Sequence, residues 1–168
     1  MKIEVRNLKF SAFASQETNC FEATLYVDGK RVGTARNAGH GGATYIEPSD
    51  CAVRLNTHAA TLPKVVTTIK DEANVSGFFT YVPTGESIVD DLVTEALLER
   101  DLKKALSKRI LFTVAGKVGI FQTKLLAPDV LARSLTEPDV LQRLNPDKIL
   151  NLLPLAEAVV VYKAGTRT

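Results

Sequence analysis

The chain has 168 residues, 45% hydrophobic and 24% charged, which excludes a disordered tail or a collagenous repeat and supplies enough apolar side chain for a core. Its 21 Lys and Arg against 19 Asp and Glu leave a formal charge of +2, too small to announce a polyanion partner. One domain spanning 1–168 is the expectation at this length.

Ile3 and Val5 alternate, then Leu8, Phe10 and Ala12 alternate in the opposite phase, which predicts a strand bent near Arg6 and Asn7. Cys20–Val27 and Lys30–Asn37 flank Asp28-Gly29, the pair that tolerates the positive φ angles of a type I′ turn, so a hairpin is expected with Val27 facing Lys30. That register puts Phe21, Ala23, Leu25 and Val27 on a core face shared with Val32, and Cys20 opposite Asn37. Gly39-His40-Gly41-Gly42 then turns the chain into a further strand, Ala43–Glu47, stopped by Pro48, which completes a meander. Ser49 or Asp50 caps a predicted helix bearing Cys51, Ala52, Leu55, Ala59 and Leu62 on one face and ending at Pro63. Residues 64–82 read as one or two short strands or an irregular connection.

Ser87-Ile88-Val89-Asp90 matches a capping box, and Ile88, Val89, Leu92, Val93, Ala96 and Leu97 recur at helical spacing, so a long helix is expected to about Ser107. Ile110–Val114 and Ile120–Leu125 suggest a second hairpin across a glycine-relaxed turn. Pro128, Pro138 and Pro146 each stand where a first helical turn tolerates a missing N–H, which predicts three short helices from VLARSL, VLQRL and KILNLL. Ala158–Tyr162 reads as a closing strand before a fraying polar tail. The predicted class is α+β: an N-terminal antiparallel β-meander packed on a long helix, with a second β-hairpin and short C-terminal helices.

Chemistry-bearing residues are sparse. Cys20, Cys51, His40 and His58 are too scattered for a CxxC pair or an HExxH helix, so neither metal nor cofactor is expected and the thiols read as reduced. MKIEVRNLKF lacks the apolar stretch of a secretory signal, and Ala158–Tyr162 falls far short of the roughly 20 residues that span a bilayer. The expected setting is therefore the cytoplasm, away from membranes. Successive glycine N–H groups in the loop can form an anion-binding concavity, with His40 and Arg36 as further donors, although the segment matches neither phosphate-loop pattern and also suits a plain wide turn. A Cys20 and His40 pair is the one conceivable nucleophile and base, against the plainer reading of Cys20 as a small strand hydrophobe. Asp71-Glu72 and Asp90-Asp91 are sequence neighbours, better read as turn and helix-end charges than as acid–base pairs.

The stretch from Lys9 to Ser15, the strand Cys20–Val27 with Asp28-Gly29, and the loop Gly39–Gly42 resemble the start of a family of small proteins encoded by phages, prophages and plasmids. Looser echoes occur in ESIVDDLV and KILNLLP, and the likeness covers roughly the first third of the chain. The family has no established activity, so the resemblance brings no catalytic residues. What it implies is a mobile-element setting in a bacterial host cell, where such proteins act by binding host macromolecules, counter-defence among the possible roles. The expected function is a non-enzymatic protein that binds a host protein or nucleoprotein. The alternative is a nucleic-acid or nucleotide binder using Lys30, Arg31, Arg36, Gly39, His40, Gly41, Gly42 and Tyr45.

Overall fold

Strand alternation folds the first residues into β1 (Ile3–Phe10), β2 (Phe21–Val27), β3 (Lys30–Asn37) and β4 (Tyr45–Glu47). These pair antiparallel in chain order in a computed structural model that describes residues 1–166. Asn7, at φ 53, marks the expected bend, and the β1–β2 register shifts between Arg6 and Lys9. Asp28 and Gly29 take φ 50 and φ 80, as the turn requires, and Val27 faces Lys30. A further irregularity beyond Tyr26 sets Leu25 opposite Gly33, so Phe21 and not Cys20 faces Asn37. The extra residue of β3, Val32, accounts for this one-position slip from the expected register. Phe21, Ala23, Leu25 and Val27 are buried all the same, because alternation within β2 is unbroken, and Ala35 joins them while Val32 is only partly covered.

Pro48, not Ser49 or Asp50, occupies the cap of α1 (Ser49–Ala59), and no side chain bonds there. Its carbonyl accepts the first intrahelical N–H groups, from Cys51 and Ala52. Cys51, Leu55 and Ala59 are buried as expected, whereas Leu62 lies beyond the helix and is exposed. The β-branched run and FFTY form β5 (Val65–Lys70) and β6 (Phe78–Tyr81), an antiparallel ribbon separate from the four-stranded sheet.

The long helix, α2 (Gly85–Leu106), starts two residues before Ser87. Thr84 Oγ1 accepts the Ser87 N–H at 3.1 Å and Ser87 Oγ accepts the Thr84 N–H at 2.9 Å, so Ser87 is the inner member of the box and not its cap. Asp90 is thereby free of the capping role expected of it. Glu99 and Lys103 pair at 2.6 Å on the outer face, as their spacing predicts.

The chain divides into two compact units, Met1–Ala96 and Leu97–Thr168, with α2 contributing to each. In the first unit α2 buries Val89 and Val93, and the Gly85 N–H donates to Asn56 Oδ1 of α1 at 2.7 Å. In the second, β7 (Leu111–Thr113) lies between β8 (Phe121–Gln122) and β9 (Lys148–Ile149), all antiparallel. The predicted second hairpin is thus present in shortened form. Pro128 and Pro138 open α3 (Pro128–Ser134) and α4 (Pro138–Arg143) as expected.

Expectations for the C-terminal segments fail here. KILNLL after Pro146 is not a helix: Lys148-Ile149 pairs with β7, and Leu150–Leu152 makes one 3-10 turn. Asn151 holds that turn, accepting the Leu111 N–H at 2.9 Å and donating to the carbonyls of Leu106 and Arg109 at 3.1 and 2.9 Å. Ala158–Tyr162 is not a strand but the middle of α5 (Leu155–Thr166). Both edges of β7 are already taken, and helical spacing lets Ala158, with Val159, Val161 and Tyr162, pack on Leu102, Leu111 and Leu150. Lys163–Thr166 of the expected fraying tail is helical, and Arg167 and Thr168 lie outside the described residues. The architecture is α+β, and no helix among the described residues is long and apolar enough to cross a membrane.

Candidate functional site

Asn37, the last residue of β3, organises the glycine loop. Buried to 7% exposure, it makes four side-chain bonds. Its Oδ1 accepts Thr18 Oγ1–H and the Gly39 N–H, each at 2.8 Å. Its Nδ2 donates to the Gly42 carbonyl at 2.9 Å and to Thr44 Oγ1 at 3.1 Å. That is the full capacity of a carboxamide. Because Thr44 Oγ1 receives the Asn37 donor, its own hydrogen goes to Asp90 Oδ1 on α2, at 2.5 Å. Burial raises the Asp90 carboxyl above its ordinary value, the Thr44 bond opposes that rise, and the Asp91 charge adds to it.

Gly39 and Gly41 take φ 88 and φ 81, which suits residues without a Cβ. The Gly39 carbonyl accepts the N–H groups of Gln16, Glu17 and Thr18 at 2.9, 3.1 and 3.4 Å, so the loop and the β1–β2 connection form one structure. The Gly39 N–H is committed to Asn37 and the Gly41 N–H to Thr18 Oγ1 at 3.3 Å. A Cβ on Gly41 would strike Glu17 Oε2, so a carboxylate stands against the loop. Two of the amides that an anion cradle would use are therefore already bonded, and the adjacent charge is negative.

Between the loop and β4 lies an open cleft of about 560 Å³, lined by Phe21, Arg36, Asn37, Ala38, His40, Gly42, Ala43 and Tyr45. Tyr45 is 65% exposed and stands opposite Arg36 in the β3–β4 register. The Arg36 guanidinium lies 5.7 Å from the Tyr45 ring centre and 3.8 Å from Glu47 Oε1. His40 Nδ1 meets Gln16 Oε1 at 3.3 Å. The sequence-predicted residues Arg36, His40, Gly42 and Tyr45 thus line one cleft, with Gly39 and Gly41 in its loop. Lys30 and Arg31 do not join them: they sit at the hairpin end of β3, roughly 17–20 Å from Arg36 at the rise of a strand. There Arg31 faces Tyr26, whose ring carries the Arg6 guanidinium at 4.3 Å.

Cys20 is half-buried against Gly39, its N–H donating to Ser15 Oγ at 2.8 Å, while His40 turns to Gln16. Cys51 is buried, and desolvation pushes its thiol above the usual range against the lowering effect of Arg54. His58 closes the last turn of α1. Among the described residues no three His, Cys, Asp or Glu gather to hold a metal ion. Reading from sequence missed Thr18, Asn37, Thr44 and Asp90. Asn37-Ala38-Gly39 is the one local signal, an Asn two residues before the amide it accepts. No family model, curated protein or solved structure matches the chain.

Proposed function

We propose that this is a non-enzymatic binding protein of a phage or other mobile element, engaging a host protein or nucleoprotein through the cleft beside β4. The setting comes from the resemblance of the first third of the chain. The binding face rests on one observation: Tyr45, two-thirds exposed, stands with Arg36 at the mouth of a cleft whose loop is held from beneath by Asn37. Tyr and Arg are the residue types that anchor interfaces when a partner desolvates them, and a loop whose bonds are already made loses little freedom on binding. Affinity capture from a bacterial lysate, with wild type and Tyr45→Ala as parallel baits, tests it. A stoichiometric partner lost from the variant supports the reading; equal recovery on both baits, or turnover of a small molecule without a partner, overturns it.

Nucleic-acid or nucleotide binding is the second reading, favoured by the same Arg36 and Tyr45 pair, since an exposed ring beside a guanidinium is a stacking platform for a base. The distance along β3 sharpens its test. Binding centred on the cleft loses about one unit of salt slope in Arg36→Ala and none in Lys30→Ala with Arg31→Ala. A mobility-shift titration at low salt without any bound species removes this reading.

A further inference from the structure

We infer that the second unit carries a phosphate-backbone site for nucleic acid, a basic hollow between the end of α2 and β8 that is independent of the cleft beside β4. The overall charge of +2 conceals an uneven split: Met1–Ala96 holds 9 Lys and Arg against 12 Asp and Glu, whereas Leu97–Thr168 holds 12 against 7. Such an asymmetry between parts of one chain marks the basic part as a surface for a polyanion. Within the second unit an open hollow of about 440 Å³ is lined by Lys104, Lys108, Arg109, Gln122 and Leu125, with Asp101 as its one carboxylate.

Local structure explains why the cations gather. α2 ends at Leu106, and the N–H groups of Lys108 and Arg109 both close on the Ala105 carbonyl, at 3.0 and 2.9 Å, which keeps these two side chains at the helix end with Lys104. From the other side, the Thr123 N–H donates to the Ile110 carbonyl at 3.1 Å and the Leu126 N–H to the Lys108 carbonyl at 2.9 Å, so the segment after β8 runs beside Lys108–Ile110 and brings Lys124 there. Lys104, Lys108 and Lys124 are exposed and Arg109 partly so. None of the four has an ion-pair partner among the described residues, whereas Lys103 is taken by Glu99. Cations at a helix C-terminus offset the macrodipole, which accounts for Lys104 on local grounds but not for Lys124, which comes from another element. Nucleic acid fits the cluster because a duplex carries a charge about every 1.7 Å along its axis, so all four cations meet phosphate without a set register. A membrane surface fits less well, since Leu125 is the one large apolar side chain in the lining.

Fluorescence anisotropy of the full chain with a labelled DNA duplex of about 20 base pairs, repeated from about 50 to about 200 mM salt, tests the site. Four phosphate contacts give a slope of log K against log salt of about −3.6, so affinity is expected to fall about 150-fold over that range. Lys104→Gln with Lys108→Gln is expected to reduce the slope to about −1.8, and Lys124→Gln alone to about −2.7. The three lysines are exposed, so these variants are expected to melt as wild type does. Made in an Arg36→Ala protein, the same lysine changes are expected to remove the same amount of slope, so the hollow and the cleft are told apart. No binding at about 50 mM salt, a slope indifferent to the lysine variants, or a loss confined to Arg36→Ala overturns the proposal. So does binding to vesicles of anionic phospholipid in place of the duplex.

Discussion

Asn37 makes four side-chain bonds, and its removal unpairs the groups it serves, among them those of the buried Gly39 and Thr44. Asn37→Ala is expected to cost about 2–3 kcal/mol, the scale of a few part-buried polar groups left unpaired. Thermal denaturation checks it; a loss under about 0.5 kcal/mol would show that the loop keeps its shape unaided. Asp90 adds a pH dependence. Its carboxyl is raised above 3.8 by burial, so the folded chain holds that proton more tightly than the unfolded one. Its favourable contribution is complete below 3.8 and is lost as pH rises through the raised value. Asp90→Asn keeps an acceptor for Thr44 and is expected to flatten that fall. Melting curves of both proteins across the acid range decide it, parallel curves being the contrary result. Asn37-Ala38-Gly39 carries a local Asx-turn signal, the Asn accepting the amide two residues on. The link through Thr44 to Asp90 carries no local signal, because those two residues are 46 apart in the chain.

For whole elements, local chemistry is decisive where the turn or cap is local. Asp28-Gly29 forms its hairpin and Pro128 and Pro138 open their helices, since each signal acts on its own neighbours. α5 is the opposite case. Val159-Val160-Val161 favours a strand by propensity, yet the segment is helical because burial of one helix face outweighs the few tenths of a kcal/mol per residue at stake. A strand would put Ala158 and Val160 on one face, whereas the helix buries Ala158 fully and leaves Val160 68% exposed. Ala158→Lys is therefore expected to cost several kcal/mol and Val160→Lys under about 0.5 kcal/mol. Equal melting temperatures for the two variants would contradict the helix.

At the scale of the molecule, apolar side chains are buried in each of the two units. The first unit buries the inner face of β2 with residues of α1 and the start of α2. The second holds one cluster of Leu102, Leu111, Leu150 and Ala158 and another of Ile110, Phe112 and Leu131. Leu150, fully buried, is expected to cost about 2–5 kcal/mol on truncation to Ala. Hydrogen exchange should then show amides of β7 and α5 losing protection while the β2–β3 hairpin keeps it. Uniform loss across both units would show a single cooperative block.

The sequence by itself determined the α+β class, the bent first strand, the Asp-Gly hairpin with its buried β2 face, and the helices led by Pro128 and Pro138. Each follows from side-chain period or backbone restriction within a few residues. Tertiary structure decided the rest: β9 on one edge of β7, α5 as a helix, the cap at Thr84 and the bonding of the loop through Asn37. It also separated Lys30 and Arg31 from the cleft that gathers Arg36, His40 and Tyr45. Those outcomes turn on which strand edges are vacant and which polar groups burial obliges to pair, and both depend on residues brought together from distant parts of the chain.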